Sequence, residues 1–172
     1  MDIKQAIADR RSIRKYQNKK VSDDIIEDLL DAARLAPSGN NTQPCKYVVI
    51  KNDDVKQNLK EQNIFLQNFV YDAPVTIVCC TDPNAYKKRN EDLDDANNMR
   101  AIRDLSIASA FIVLQATELG LGTCYVGWLE KEKIKDILDI PKEYIIPYVI
   151  TVGYADETPS PRDRKSLDEI TF

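Results

Sequence analysis

The chain has no histidine among its 172 residues, and that one absence removes several chemistries together. No Ser-His-Asp or Cys-His arrangement can form, and an acid–base step near neutral pH would fall to a strongly shifted carboxylate, lysine or tyrosine. The four cysteines, Cys45, Cys79, Cys80 and Cys124, include no C-x-x-C pair, so a metal site is not expected either. Cys79 and Cys80 close the apolar run that begins at Val75 and read as small core residues. If the chain is a catalyst, a bound cofactor is expected to carry the chemistry.

Long apolar runs are also missing. The most apolar helical stretch, around Ile102 to Leu119, is interrupted by Arg103, Asp104, Gln115 and Glu118, and falls short of the roughly 20 apolar residues needed to cross a bilayer. The opening MDIKQAIADRRS is charged throughout and shows no secretory signal pattern, so a cytoplasmic location without membrane association is expected. There is no internal repeat or low-complexity segment. Hydrophobic content of 43% with 30% charged residues suits a single globular domain over residues 1–172, a length also common among obligate dimers. A net charge of -4 and the lack of an extended basic face argue against nucleic acid as a partner.

One segment runs against that acidic balance. Six of the eleven residues from Arg10 to Lys20 are basic and none is acidic. Arg10, Arg11 and Arg14 offer forked, planar donors that match phosphate oxygens, and the Ser12 hydroxyl can fill a remaining acceptor position. A small phosphate-bearing molecule is the expected ligand.

Asp2 with Gln5 resembles a capping box for a first helix, with Ile3, Ala6 and Ile7 on its apolar edge and its end near Arg10. Ser22 is a fitting N-cap for a second helix carrying Ile25, Ile26, Leu29, Leu30 and Ala33, which Pro37-Ser38-Gly39 stops. Strands are predicted at Lys46 to Lys51, from Pro74 to Thr81, at Thr123 to Val126 and at Tyr148 to Tyr154. Helices are predicted after Asn52 or Asp53, from about Ala96 to Leu119 with Gly120 as C-cap, and from Glu130 to Leu138. The stretch 82–95 reads as a charged surface loop. Strands alternating with helices point to an α/β or α+β sandwich.

Four separated segments then acquire a joint meaning. RRSIRKY (Arg10 to Tyr16) follows a helix, APSGNNTQP (Ala36 to Pro44) follows a second, ELGLGTCYVGW (Glu118 to Trp128) follows a long helix, and PSPRDRKSLDEI lies near the end. In that order they resemble the FMN-dependent nitroreductase family, over essentially the whole chain. The resemblance implies an α+β fold: a central mixed, mainly antiparallel sheet of four to five strands flanked by helices in a three-layer sandwich, with a C-terminal tail extending onto the dimer partner.

It also implies roles. Arg10 and Arg11 would bind the FMN phosphate, Ser12 would lie close to the flavin ring, and Arg14 by the pyrimidine end, where a guanidinium stabilises negative charge on the reduced ring. Pro37, Ser38, Gly39, Asn41 and Gln43 match the loop that contacts the neighbouring subunit's flavin, since Asn and Gln donate and accept at its uracil-like edge. A plain helix-terminating turn accounts for the same composition. Val126 and Gly127 stand where a backbone amide reaches flavin N5; Trp128 follows where relatives carry a second small residue. Gln67 falls at a polar contact to the ring. Arg162 and Arg164 match cations that close over the phosphate, although such a run also suits a solvated terminus.

The implied activity needs no catalytic side chain. Hydride from NADH or NADPH passes through FMN to a nitroaromatic, quinone or related small acceptor by a ping-pong mechanism, in a homodimer with FMN at the interface. The alternative is a flavin-binding storage or redox-responsive protein without efficient turnover. The chain is short for the family, which leaves Asn63 to Asp72 and the 82–95 stretch as lid candidates and implies an open pocket of broad specificity.

Overall fold

The computed structural model describes residues 2–89 and 94–172. Its sheet contains β1 (Cys45–Ile50), β2 (Val75–Thr81), β3 (Gly122–Val126) and β4 (Ile145–Gly153) in the order β1-β2-β4-β3. All three neighbouring pairs are antiparallel. The expected mixed character therefore reduces, among the described residues, to one isolated parallel bridge between Ser12 and Thr123, because β4 lies between the co-directional strands β2 and β3 and runs against both.

β2 and β4 are central. Every residue of β2 is buried, and the period-two alternation divides its side chains between two cores. Val75, Ile77 and Cys79, with Ile150 and Val152 of β4, face Leu29 of α2 (Asp23–Arg34) and Leu105 and Ile112 of α5 (Asp94–Glu118). Val78 and Cys80, with Ile146 and Val149, face Leu59 of α3 (Asp53–Glu61) and Ile134 of α6 (Lys131–Ile137). Helices thus cover both faces, giving three layers. The remaining helices are α1 (Ile3–Asp9), packed on α5, and the single turn α4 (Phe69–Asp72).

Capping follows the sequence in part. Asp2 Oδ1 accepts the Gln5 N–H at 2.8 Å, but the Gln5 amide turns forward to Asp9 at 2.7 Å, so half of the capping box forms. Asn52 caps α3 through the N–H groups of Asp54 and Val55. Gly120, with φ 75°, ends α5 in the left-handed region that glycine enters at no steric cost. Ser22 occupies the N-cap of α2 without a side-chain hydrogen bond.

The segment after β2 is more ordered than a surface loop. Residues Pro83–Arg89 form a 3-10 turn with Tyr86 buried, and α5 begins at Asp94; the rest of the 82–95 stretch, residues 90–93, lies outside the described residues. Among the described residues no helix is long and apolar enough to cross a membrane.

Candidate functional site

The Arg10–Gln17 segment is fastened to the sheet by its own backbone. Ile13 N–H donates to Thr123 O at 2.9 Å, Gln17 N–H donates to Tyr154 O at 2.9 Å, and Lys15 O accepts the Asp156 N–H at 2.9 Å. The Ile13 side chain is buried against Gly122, where an added Cβ would stand 2.6 Å from Ile13 Cγ1; only glycine permits this approach. The Tyr16 hydroxyl completes the anchor, bonding Ile13 O and Thr151 Oγ1, each at 2.7 Å. Burial pushes that phenol far above its ordinary range, so it stays a neutral pin.

On this anchored backbone Ser12 bridges Thr123, the neighbour of Cys124 in β3, and Arg10 and Arg14 flank Ser12 in the chain. Burial raises the Cys124 thiol, and Arg14, the Ser12 hydroxyl and Arg10, in that order, pull the other way. Arg11 is turned back instead: its Nη1 donates to Ala8 O at 2.6 Å and to Arg10 O at 2.9 Å, capping α1 with a cation while other guanidinium donors remain. Glu157 Oε1 accepts the N–H groups of Arg14 at 2.5 Å and Lys15 at 3.2 Å, in the manner of an anion seated in a backbone nest.

The far end of β3 opens into a cleft. Gly127 and Trp128, with Asn63, Leu66 and Glu130, line a volume of about 440 Å³. A Cβ at Gly127 would meet nothing nearer than Pro147 O at 3.8 Å, so its backbone is unobstructed. Val126 points its side chain into the core at 1% exposure and serves to aim Gly127. Trp128 is 72% exposed. Gln67 is exposed in the turn before α4, its carbonyl accepting Val70 N–H.

The loop from Pro37 to Gln43 lies at the other edge of the sheet. It precedes β1, and two strands separate β1 from β3, roughly 14 Å at ordinary strand spacing. Asn40, Asn41 and Gln43 all have positive φ, between 50° and 54°, a costly conformation for side-chain-bearing residues. Ser38 Oγ accepts the Gln43 N–H at 2.9 Å and Asp104 Oδ2 accepts the Gly39 N–H at 3.0 Å. Pro37, Ser38 and Gln43 border a cleft of about 280 Å³ with Tyr47 and Asp104.

The two tail cations are found apart from both patches' hydrogen bonding. Arg164 Nη1 donates to Arg162 O at 3.2 Å and Asp163 O at 3.0 Å, and both residues are exposed. Within one protomer Arg10, Ser12 and Arg14 thus lie on the segment tied to β3, with Gly127 one residue past that strand, whereas the 37–43 loop lies at the opposite edge of the sheet. Sequence reasoning missed Asp104, Tyr86 and Glu157. For Asp104 a signal existed, since it falls between Ala101, Leu105 and Ala108 on the apolar stripe of α5, where an unpaired carboxylate has no place.

Comparison with known proteins identifies the family. The model of the nitroreductase family matches residues 7–64 and 62–154. A Methanothermobacter thermautotrophicus protein with the provisional name NADH dehydrogenase/NAD(P)H nitroreductase is 36% identical, over 99% of this chain and 86% of its own. A solved nitroreductase family protein of Clostridium difficile 630 superposes with a TM-score of 0.83 at 29% identity, covering 100% of this chain and 98% of that one. An FMN-dependent nitroreductase of Clostridium difficile R20291 has a TM-score of 0.77 at 29% identity, covering 97% and 95%. On sequence and on fold, the chain belongs to the nitroreductase family.

Proposed function

We propose that the chain is an NAD(P)H-dependent FMN oxidoreductase of the nitroreductase type, acting as a cytoplasmic homodimer with one flavin-binding domain over residues 1–172. The observation that carries this reading is that the segment bearing Arg10, Ser12 and Arg14 is tied to β3, Ser12 bridging Thr123 and Ile13 N–H donating to Thr123 O, while the unobstructed backbone of Gly127 stands one residue past the end of the same strand. That donor set fits the group: guanidinium forks and a hydroxyl suit a phosphate, and open space above a glycine suits a flat ring. The names of the relatives add NAD(P)H and FMN.

Bound FMN supplies the centre that accepts hydride from NADH or NADPH and returns it to a nitroaromatic, quinone or related small acceptor. Arg10 would hold the phosphate together with the Arg11 donors not spent on α1, and Ser12 would lie close to the ring. Arg14 would present positive charge to the pyrimidine edge, favouring the reduced form there. The Gly127 N–H would serve the ring from the cleft, with Gln67 and Trp128 at the border. No side chain acts as nucleophile: burial holds Cys80 and Cys45 each up to about 11, so these thiols remain protonated. One open cleft serving donor and acceptor in succession supports ping-pong turnover.

The dimer rests on two observations. The Pro37, Ser38, Gly39, Asn41 and Gln43 loop sits at the sheet edge opposite the arginines, so only a second copy brings both to one ligand. Ile3, Ala6, Phe111 and Leu114 line an apolar groove of about 300 Å³, beside Ile7 at 60% exposure, a face suited to burial. Arg162 and Arg164 would then close over the partner's phosphate. The deciding experiment is the absorption spectrum of unsupplemented protein, followed by anaerobic addition of NADH or NADPH. A flavin spectrum that bleaches supports the oxidoreductase; a flavin that neither nucleotide bleaches leaves a binding protein and overturns the proposed turnover.

A further inference from the structure

Asp104 is a buried carboxylate, 2% exposed, on the apolar face of α5, and it joins three parts of the fold. Oδ2 accepts the Gly39 N–H at 3.0 Å and the Tyr86 hydroxyl, in a close contact. Oδ1 accepts from Arg103 Nε at 3.2 Å and Nη2 at 3.1 Å. The charge is thus fully paired, as burial demands, and the pairing is aimed at the 37–43 loop. The fit around Gly39 is equally demanding, because a Cβ there would stand 2.8 Å from Tyr86 Oη and 3.0 Å from Arg103 Nη2. Gly39 is glycine to let the Asp104 cluster reach its backbone.

The loop needs such a hold. Three of its residues adopt left-handed backbone, and the side-chain bonds that support that shape include the Ser38 bond to Gln43 and a long one, 3.4 Å, from Gln43 Nε2 to Asn41 O. Left to itself, a short polar segment with these conformations relaxes toward extended backbone. We propose that Asp104, held by Tyr86 and Arg103, is a positioning residue that fixes the Pro37–Gln43 loop in the shape that receives flavin. This rests on the flavin reading above and adds to it a residue outside the arginine cluster and the loop. The hydroxyl of Tyr86 is the hinge of the device: it brings the turn after β2 into the same cluster, so that turn and loop hold one conformation together.

The test titrates FMN into the full-length protein and its variants, following flavin fluorescence. Tyr86→Phe, which deletes one oxygen, is expected to raise the Kd about tenfold, the lower end for a lost charge-assisted bond. Asp104→Asn keeps an acceptor for Gly39 and is expected to raise it less than Asp104→Ala. Ser38→Ala separates positioning from general loosening. If Tyr86 acts through the loop, adding Ser38→Ala to Tyr86→Phe costs less than it does in the wild type. Folded Tyr86→Phe and Asp104→Asn proteins with unchanged Kd overturn the inference and leave the flavin reading intact, as do strictly additive effects of Tyr86→Phe and Ser38→Ala. A wild type that binds no FMN overturns both. Should an Asp104 variant fail to fold, Tyr86→Phe decides alone.

Discussion

Arg10 and Arg14 stand on backbone hydrogen-bonded at Ile13, Lys15 and Gln17 to β3 and to the chain leaving β4, whereas Arg162 and Arg164 stand on a tail whose bonds stay within itself. Both are clusters of like charge on exposed segments. They differ in what has already been spent on order. An anion meeting the first cluster finds the backbone beneath the guanidinium groups already ordered. An anion meeting the second must also fix several residues, at roughly 1–2 kcal/mol of backbone entropy each. The tethered arginines are suited to select the ligand, and the tail to close behind it.

The largest effect that would sharpen this contrast is on folding. Ile13→Ala is expected to cost about 2–5 kcal/mol by emptying the seat against Gly122, while Leu167→Ala in the tail, at 76% exposure, should stay within about 0.5 kcal/mol; urea unfolding of both checks it, and equal values would erase the distinction. Next comes ligand retention. Arg10→Ala and Arg164→Ala should each weaken FMN binding by about 1.5–3 kcal/mol, with Arg164→Ala speeding dissociation and sparing association, as stopped-flow fluorescence can resolve. Full FMN occupancy in both variants would refute the assignment.

A smaller effect concerns the ring. Arg14→Gln should lower the flavin midpoint potential, by about 30 mV for each 1.4 kcal/mol of lost charge interaction, more than it weakens binding; an unmoved potential means Arg14 does not face the ring. The smallest effect needs no ligand. Arg14 opposes the upward push of burial on Cys124, so Arg14→Gln should move that thiol's titration further up. Alkylation of Cys124, followed against pH by peptide mass spectrometry so that Cys45 is read separately, reports the shift, and the tail variant Arg164→Gln serves as the unshifted control.

The same contrast explains what was legible in the sequence. Ile102 to Leu119, the strand at β2 and the Gly120 stop were readable because apolar spacing and a left-handed cap are local signals. The basic run from Arg10 to Arg14 could be read as a charge cluster, but not its fastening to β3 through Ile13. Nothing in RRSIRKY says that the Arg11 guanidinium donates back to Ala8 O. The role of Asp104 was invisible as such, since its partners Gly39 and Tyr86 come from elements remote in sequence, and it registered merely as a charge interrupting an apolar helix. The 83–89 turn was read as loop from its charge, because the burial of Tyr86 depends on that same remote carboxylate.

One consequence follows from the strand order. β2 lies beside β4 although residues 82–144 separate them, and Ser12 finds its bridge at Thr123. Pairings this distant in sequence form slowly and late. On a chain emerging from the ribosome, the arginines appear first and have nowhere to dock until β3 and β4 exist. On the proposed function, flavin capture would then follow assembly of the sheet, and a yellow polypeptide would be one whose strands have already paired.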